Sequence, residues 1–209
     1  MATAAAAGVR GRCAHPVRTL ALSTASPALS LALFEDDRLV AHSHDVIGRG
    51  HAERTLPAIV ALLGDRRADA IIVDIGPGSF TGIRIGIAAA RALGLAWGVP
   101  VNGCSASALV AAQAFAIAPT LAAVTVCLDA GRGQILQQIV GRDYVASAPM
   151  IMASTSVETG ASCAGPMAGA DAVHQGQPDA RFALHLPPAA RAHSPQAIYV
   201  RPPDAILPL

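Results

Sequence analysis

Apolar and polar positions alternate in blocks along the first half of the chain. Thr19–Ser23 (TLALS) is a short apolar run, and a polar turn follows at Thr24–Pro27. Ala28–Phe34 (ALSLALF) is a second run, Glu35–Asp37 a charged turn, and Arg38–Ser43 a third run. Short apolar runs bounded by turn residues predict strands, here an antiparallel meander. At His51–Leu63 (HAERTLPAIVALL) the apolar spacing becomes helical. Pro57 is expected to kink that helix or mark its first turn. Ala70–Ile75 (AIIVDI) reads as a buried strand, Gly76–Gly78 as a turn and Ser79–Trp97 as a long helix. Another strand starts at Val99–Val101, and a further helix covers Ala106–Phe115. Strand, turn and strand then return at Ala122–Leu128, Asp129–Gly133 and Gln134–Val140. Beyond about Ser147 the pattern weakens. Residues 153–180 are rich in Ala, Gly, Ser and Pro, and Pro187 to Leu209 is Pro-rich.

TLALSTASPALSLALF and VTVCLDAGRGQILQQIV both read strand, polar turn, strand, with Ser23 and Asp129 in corresponding places. Two lobes opening with the same unit suit a duplicated α/β architecture. The expected organisation is a disordered extension over 1–17, a first lobe over 18–117, a shortened second lobe over 118–197 and a tail over 198–209.

Asp74–Gly86 (DIGPGSFTGIRIG) is the strongest local signal. Gly76 and Gly78 permit a tight strand-to-helix turn, and Ser79 is a good N-cap. Such a turn could offer free amides to a phosphate, but the spacing fits neither G-x-G-x-x-G nor a P-loop, so a structural turn is the stronger reading. Along the helix, Gly82, Gly86, Ala90, Gly94 and Gly98 recur every four residues and form one ridge. Glycine inside a helix costs about 1 kcal/mol relative to Ala, so close approach of another helix is the expected compensation. The remaining surface is also apolar, with only Arg84 and Arg91 charged. A helix apolar nearly all round is covered on several faces: either it is central to one domain, or one face meets a second subunit.

Composition narrows the chemistry. Of 209 residues 53% are hydrophobic and 14% charged, enough to bury a sizeable core. All 15 basic residues are Arg. Without Lys the chain cannot be a P-loop NTPase, a protein-kinase-like enzyme or a pyridoxal enzyme. A net charge of +1 and few aromatics argue against gripping nucleic acid unaided. Cys13, Cys104, Cys127 and Cys163 have no zinc or disulfide spacing and read as reduced core thiols of a cytoplasmic protein. No apolar run reads as a membrane span. His42 and His44 point to one side of a strand as metal ligands would, but no Cys or acid is placed beside them in sequence, so no metal is expected. Asp129 and Gly131 in LDAGRG are weak candidates for a metal-bound phosphate, equally well read as a turn cap. GPGSF is not a nucleophile elbow.

LALSTASPALSLALF, HAERTLPAI, GPGSFTGIRIGIAAARALGLA, LDAGRGQI and IYVRPPDA occur here in the order found in the TsaB (YeaZ) family. The resemblance covers roughly residues 19–140 and returns at Ile198–Ala205. It implies an α/β fold of two lobes, actin-like and sugar-kinase-like (ASKHA). It also implies a non-catalytic scaffold subunit that pairs with the catalytic subunit TsaD. With TsaE, that pair transfers a threonylcarbamoyl group to the adenosine beside the anticodon of certain tRNAs. The protein would then meet tRNA indirectly, form a homodimer when alone, need no cofactor of its own, and bind nucleotide weakly only within the complex. In the catalytic relative, H-x-x-x-H histidines bind the metal; here His51 is followed by Thr55. Family members carry Asp where this chain has Ser23. The resemblance places the partner contact on the first two helices, for which the candidate positions are His51, Arg54, Thr55, Ala58, Leu62, Gly82, Ile83, Gly86, Ile87, Ala90, Arg91 and Gly94. The rival readings are a stand-alone ATPase or sugar-kinase-like enzyme using Asp129 and Asp74, and a peptidase.

Overall fold

The computed structural model describes residues 15–154 and 160–200. Most of the expected N-terminal extension, with Cys13, and the tail beyond residue 200 lie outside the described residues. The first sheet has five strands, lying in the order third, second, first, fourth and fifth along the chain. β1 (Arg18–Ser23), β2 (Ala28–Glu35) and β3 (Arg38–Val46) form the antiparallel meander, and β4 (Ala70–Asp74) and β5 (Val101–Cys104) join in parallel. Side-chain alternation sorts its two faces. Leu20, Leu22, Leu29, Leu31 and Leu33 pack under Ile59 and Leu63 of α1 (His51–Leu63) and Ile83 and Ile87 of α2 (Phe80–Trp97). Ala21, Ala32, Phe34 and Ile72 face the other way, onto Ala108, Leu109 and Ala112 of α3 (Ala106–Ile117). Pro57 sits within α1, which runs on past it, and its ring is exposed.

The second sheet has the order β8-β7-β6-β9, built from β6 (Ala123–Gly131), β7 (Gln134–Gly141), β8 (Met150–Ala153) and β9 (Cys163–Ala164). Two antiparallel pairings followed by one parallel pairing repeat the pattern β3-β2-β1-β4 of the first sheet. The faint sequence repeat is therefore a repeat of topology. Val110, Ala111, Ala114 and Phe115 of α3 pack on Val124, Val126, Leu128 and Leu136 of this sheet. The helix covered nearly all round is thus α3, every residue of which from Ala106 to Phe115 is buried, whereas α2 keeps a solvent face with Leu95 88% exposed.

The second lobe does not extend to residue 197. From Asp179 the chain returns to the first sheet: Ala180, Ala183, Leu186 and Ala190 join the core of Ala21 and Phe34, Gly103 bridges His193, and Ile198 N–H donates to the Ile75 carbonyl at 2.8 Å. The weak pattern after Ser147 hid this because the return is made by short 3-10 turns (Ala180–His185 and Pro188–Arg191) with no long period to read.

The glycine ridge also packs differently from expectation. Gly82, Gly86, Ala90 and Gly94 lie against the chain's own first lobe. A Cβ at Gly82 would run into the Thr24 carbonyl, one at Gly86 into the Thr24 hydroxyl and one at Gly94 into Val101. The compensation for helical glycine is close approach of a strand and the β1–β2 turn, where the Thr24 hydroxyl donates to the Gly82 carbonyl at 2.7 Å, and not of a second subunit's helix.

Candidate functional site

Two surfaces arise from this architecture. The first is a cleft of about 1000 Å³ between the lobes. The β1–β2 turn (Ala25, Ser26), the turn before α2 (Pro77, Gly78, Ser79) and His51 form one wall; Asp129, Gly131, Met167 and Gln177 form the other. Tyr199 closes one edge: the Arg84 guanidinium stacks 3.8 Å over the Phe80 ring, and its Nε–H donates to the Tyr199 hydroxyl at 2.9 Å. The glycine-rich turn is largely occupied by its own fold. Ser79 N–H donates to the Ala25 carbonyl at 2.7 Å, and Gly82 N–H donates to Ser79 Oγ at 3.2 Å, so two of the amides nearest the helix start are already satisfied. Gly78 has no room for a Cβ, which would meet the Ala25 carbonyl.

The acidic candidates part company. Asp129 lines the cleft, but its Oδ1 accepts from Gly131 N–H at 2.6 Å, and Gly131 takes the left-handed backbone with φ 75°. The turn-cap reading is realised in the geometry. Asp74 is fully buried and does not line the cleft. Its Oδ2 accepts from the Ser23 hydroxyl at 2.6 Å and its Oδ1 from Gly76 N–H at 2.8 Å. Burial outweighs these two bonds and raises its pKa to about 6. Burial also pushes the neighbouring Cys104 thiol up. An enzyme using Asp129 and Asp74 together needs both at the cleft, and the fold seals Asp74 beneath Ser23. His51 reaches the cleft, while Thr55 is buried and donates its hydroxyl to the His51 carbonyl at 2.6 Å.

The second surface is the outer side of α1 and α2, which cover the same face of the first sheet and touch each other. Of the candidate interface positions, Arg54 and Arg91 are exposed there, Ala58 and Leu62 are half-buried against the core, and His51, Thr55, Gly82, Ile83, Gly86, Ile87, Ala90 and Gly94 are buried. The buried eight face inward because the period of each helix puts its strongest apolar row on the sheet. The residues left outward, which sequence reasoning did not single out, are Leu56, Val60 and Leu95, exposed by 49%, 67% and 88%. The signal was available as the weaker apolar stripe on each helix.

His42 and His44 have an acidic neighbour after all. Asp179, 137 residues from His42, lies beside both. No local spacing could have announced it. Cys104, Cys127 and Cys163 are buried as read. Among the described residues no helix is long and apolar enough to cross a membrane.

The family described as TsaD, tRNA N6-adenosine threonylcarbamoyltransferase, matches residues 44–168. The tRNA threonylcarbamoyladenosine biosynthesis protein TsaB of Bacillus subtilis is 31% identical over 121 residues, 56% of this chain and 52% of that protein. TsaB of Escherichia coli is 40% identical over 94 residues, 43% of this chain and 40% of that protein. The chain spans about half the length of the curated relatives it matches. The solved structure of YeaZ from Pseudomonas aeruginosa superposes with a TM-score of 0.71 at 24% identity, covering 88% of this chain and 100% of that one. The fold is accordingly of the actin-like, sugar-kinase-like class.

Proposed function

From the premise that this chain belongs to the TsaD family, and within it to the TsaB (YeaZ) group, we propose that it is a non-catalytic partner subunit in tRNA threonylcarbamoyladenosine biosynthesis. Its partner is a TsaD-type catalytic subunit. It meets a TsaE-type ATPase and tRNA through that complex, in the cytoplasm.

The observation that carries this reading is the outward apolar face of α1 and α2. Leu56, Val60 and Leu95 are large side chains left in water on two adjacent helices. Arg54 and Arg91 are exposed on the same two helices, and Arg91 donates to the Pro195 carbonyl at 2.7 Å. A catalytic reading has less to work with, since Asp74 is sealed and Asp129 caps its own turn. Co-expression with the TsaD-type subunit of the same host tests the proposal. Co-elution as a stable heterodimer that supports tRNA modification is expected. Elution as two separate species, with modification proceeding undiminished without this chain, overturns it.

The cleft supports a subordinate reading as a site that binds nucleotide weakly, and only within the complex. Steady ATP turnover by the isolated chain, abolished by Asp129→Ala, would replace the scaffold reading with the stand-alone ATPase.

A further inference from the structure

Beside the edge strand of the first sheet, three side chains able to ligate a metal converge. His42 Nε2 lies 3.0 Å from Asp179 Oδ1, and His44 Nδ1 lies 3.7 Å from Asp179 Oδ2. The ligand atoms of all three residues lie within 4.8 Å of one another. Ligand atoms held about 2.0–2.1 Å from a tetrahedral ion sit about 3.3 Å apart. The two imidazole–carboxylate separations bracket that edge length. We propose that His42, His44 and Asp179 form a binding site for a divalent transition-metal ion of borderline softness, zinc being the probe of choice, with water in the fourth position.

Three features make this a built site and not a chance encounter. The two histidines occupy alternate positions of β3, so the pleat aims both rings to one side. The Asp179 side chain is 3% exposed and rigidly held: Arg181 donates to its Oδ2 through Nε at 2.9 Å and a terminal nitrogen at 2.7 Å, and through backbone N–H to its Oδ1 at 2.9 Å. Behind the histidines, Ser30 Oγ accepts from Ala180 N–H at 2.9 Å and donates to Asp179 Oδ1 at 3.3 Å, so a buried hydroxyl steadies the ligating carboxylate; it also lies 3.0 Å from His44 Nδ1, a contact that the ion displaces. The imidazoles remain about one-fifth exposed, which leaves a path for the ion and its water. His174 is turned to Gln113, with its Nε2 2.7 Å from Oε1, and stays outside the set.

The chemistry is an exchange. The ion takes the place of the hydrogen between His42 Nε2 and Asp179 Oδ1, and the neutral ring then carries its proton on Nδ1. Two imidazoles and one carboxylate suit zinc, cobalt or nickel over magnesium or calcium, which favour all-oxygen sets. Arg181 draws on the same carboxylate, so the affinity is moderate. Coordination also ties β3 to the segment returning from the second lobe, and the ion therefore stabilises the folded chain.

Titration of the metal-free full chain with zinc chloride in a calorimeter tests this. One saturable equivalent is expected, and the Tm rises with zinc concentration. His42→Ala and His44→Ala each weaken binding by about tenfold or more, while His185→Ala binds as the unaltered protein does. Cobalt in the unaltered chain gives the intense visible absorption of a tetrahedral site, a readout that needs no variant to fold. The proposal is overturned by absence of saturable binding, by affinity unchanged in both single variants, or by a weak octahedral cobalt spectrum.

Discussion

Single atoms decide how this chain tolerates change. A side chain at position 86 has no space, because Thr24 already fills the ridge from within the chain. Gly86→Leu is therefore expected to lower stability by about 3 kcal/mol or more, at the upper end of overpacking costs, and circular dichroism and solubility will register it before any binding assay does. Asp74 gives a pH signature. Its folded pKa of about 6 stands above the ordinary 3.8, so the folded protein holds the proton more tightly than the unfolded chain. The associated stability is fully present below pH 3.8 and is lost as pH rises through about 6. Asp74→Asn keeps an acceptor for Gly76 N–H and loses the buried charge. It is expected to gain stability over the unaltered protein as pH rises from 4 to 7, by up to about 3 kcal/mol, in urea titrations at each pH. At this scale the sequence was legible in part. Glycines every four residues do announce close approach, but spacing names the row and is silent about what lies across it. Nothing beside Asp74 in the sequence marks it as sealed, because the seal is Ser23, on another strand.

Elements show the same division. The antiparallel meander, the helix after it, the glycine turn and the second hairpin were readable because each is a short period bounded by turn residues. The sequence marks α2 as the helix apolar all round, and the structure gives that place to α3, whose Ala-rich surface is covered by sheets on two sides. Composition gives total hydrophobicity but not which neighbour supplies the cover. The corrected surface changes which substitutions are informative. Val60→Glu and Leu95→Glu place charges where the side chains already meet water. Each is expected to stay within about 0.5 kcal/mol of the unaltered protein, yet to weaken binding to the TsaD-type subunit at least tenfold, as measured by surface plasmon resonance. Folded variants that bind with unchanged affinity remove the α1–α2 face from the interface.

Across the whole molecule, the duplicated order β3-β2-β1-β4 and β8-β7-β6-β9 was visible in sequence only as two similar hairpins. The later strands are too short, and the return after Asp179 too irregular, to carry a period. That return matters for cohesion. Fluorescence of Trp97, the single tryptophan, reports on the first lobe, and far-ultraviolet circular dichroism reports on both. The two probes are expected to trace one coincident urea transition; separate midpoints would show lobes that melt independently. The reason lies in α3, whose alanines touch both sheets at once. Their small side chains act as a spacer of set thickness, and packed interiors yield little. The gap between the lobes is then a gauge and not a jaw: what enters is sorted by its size against walls already in position.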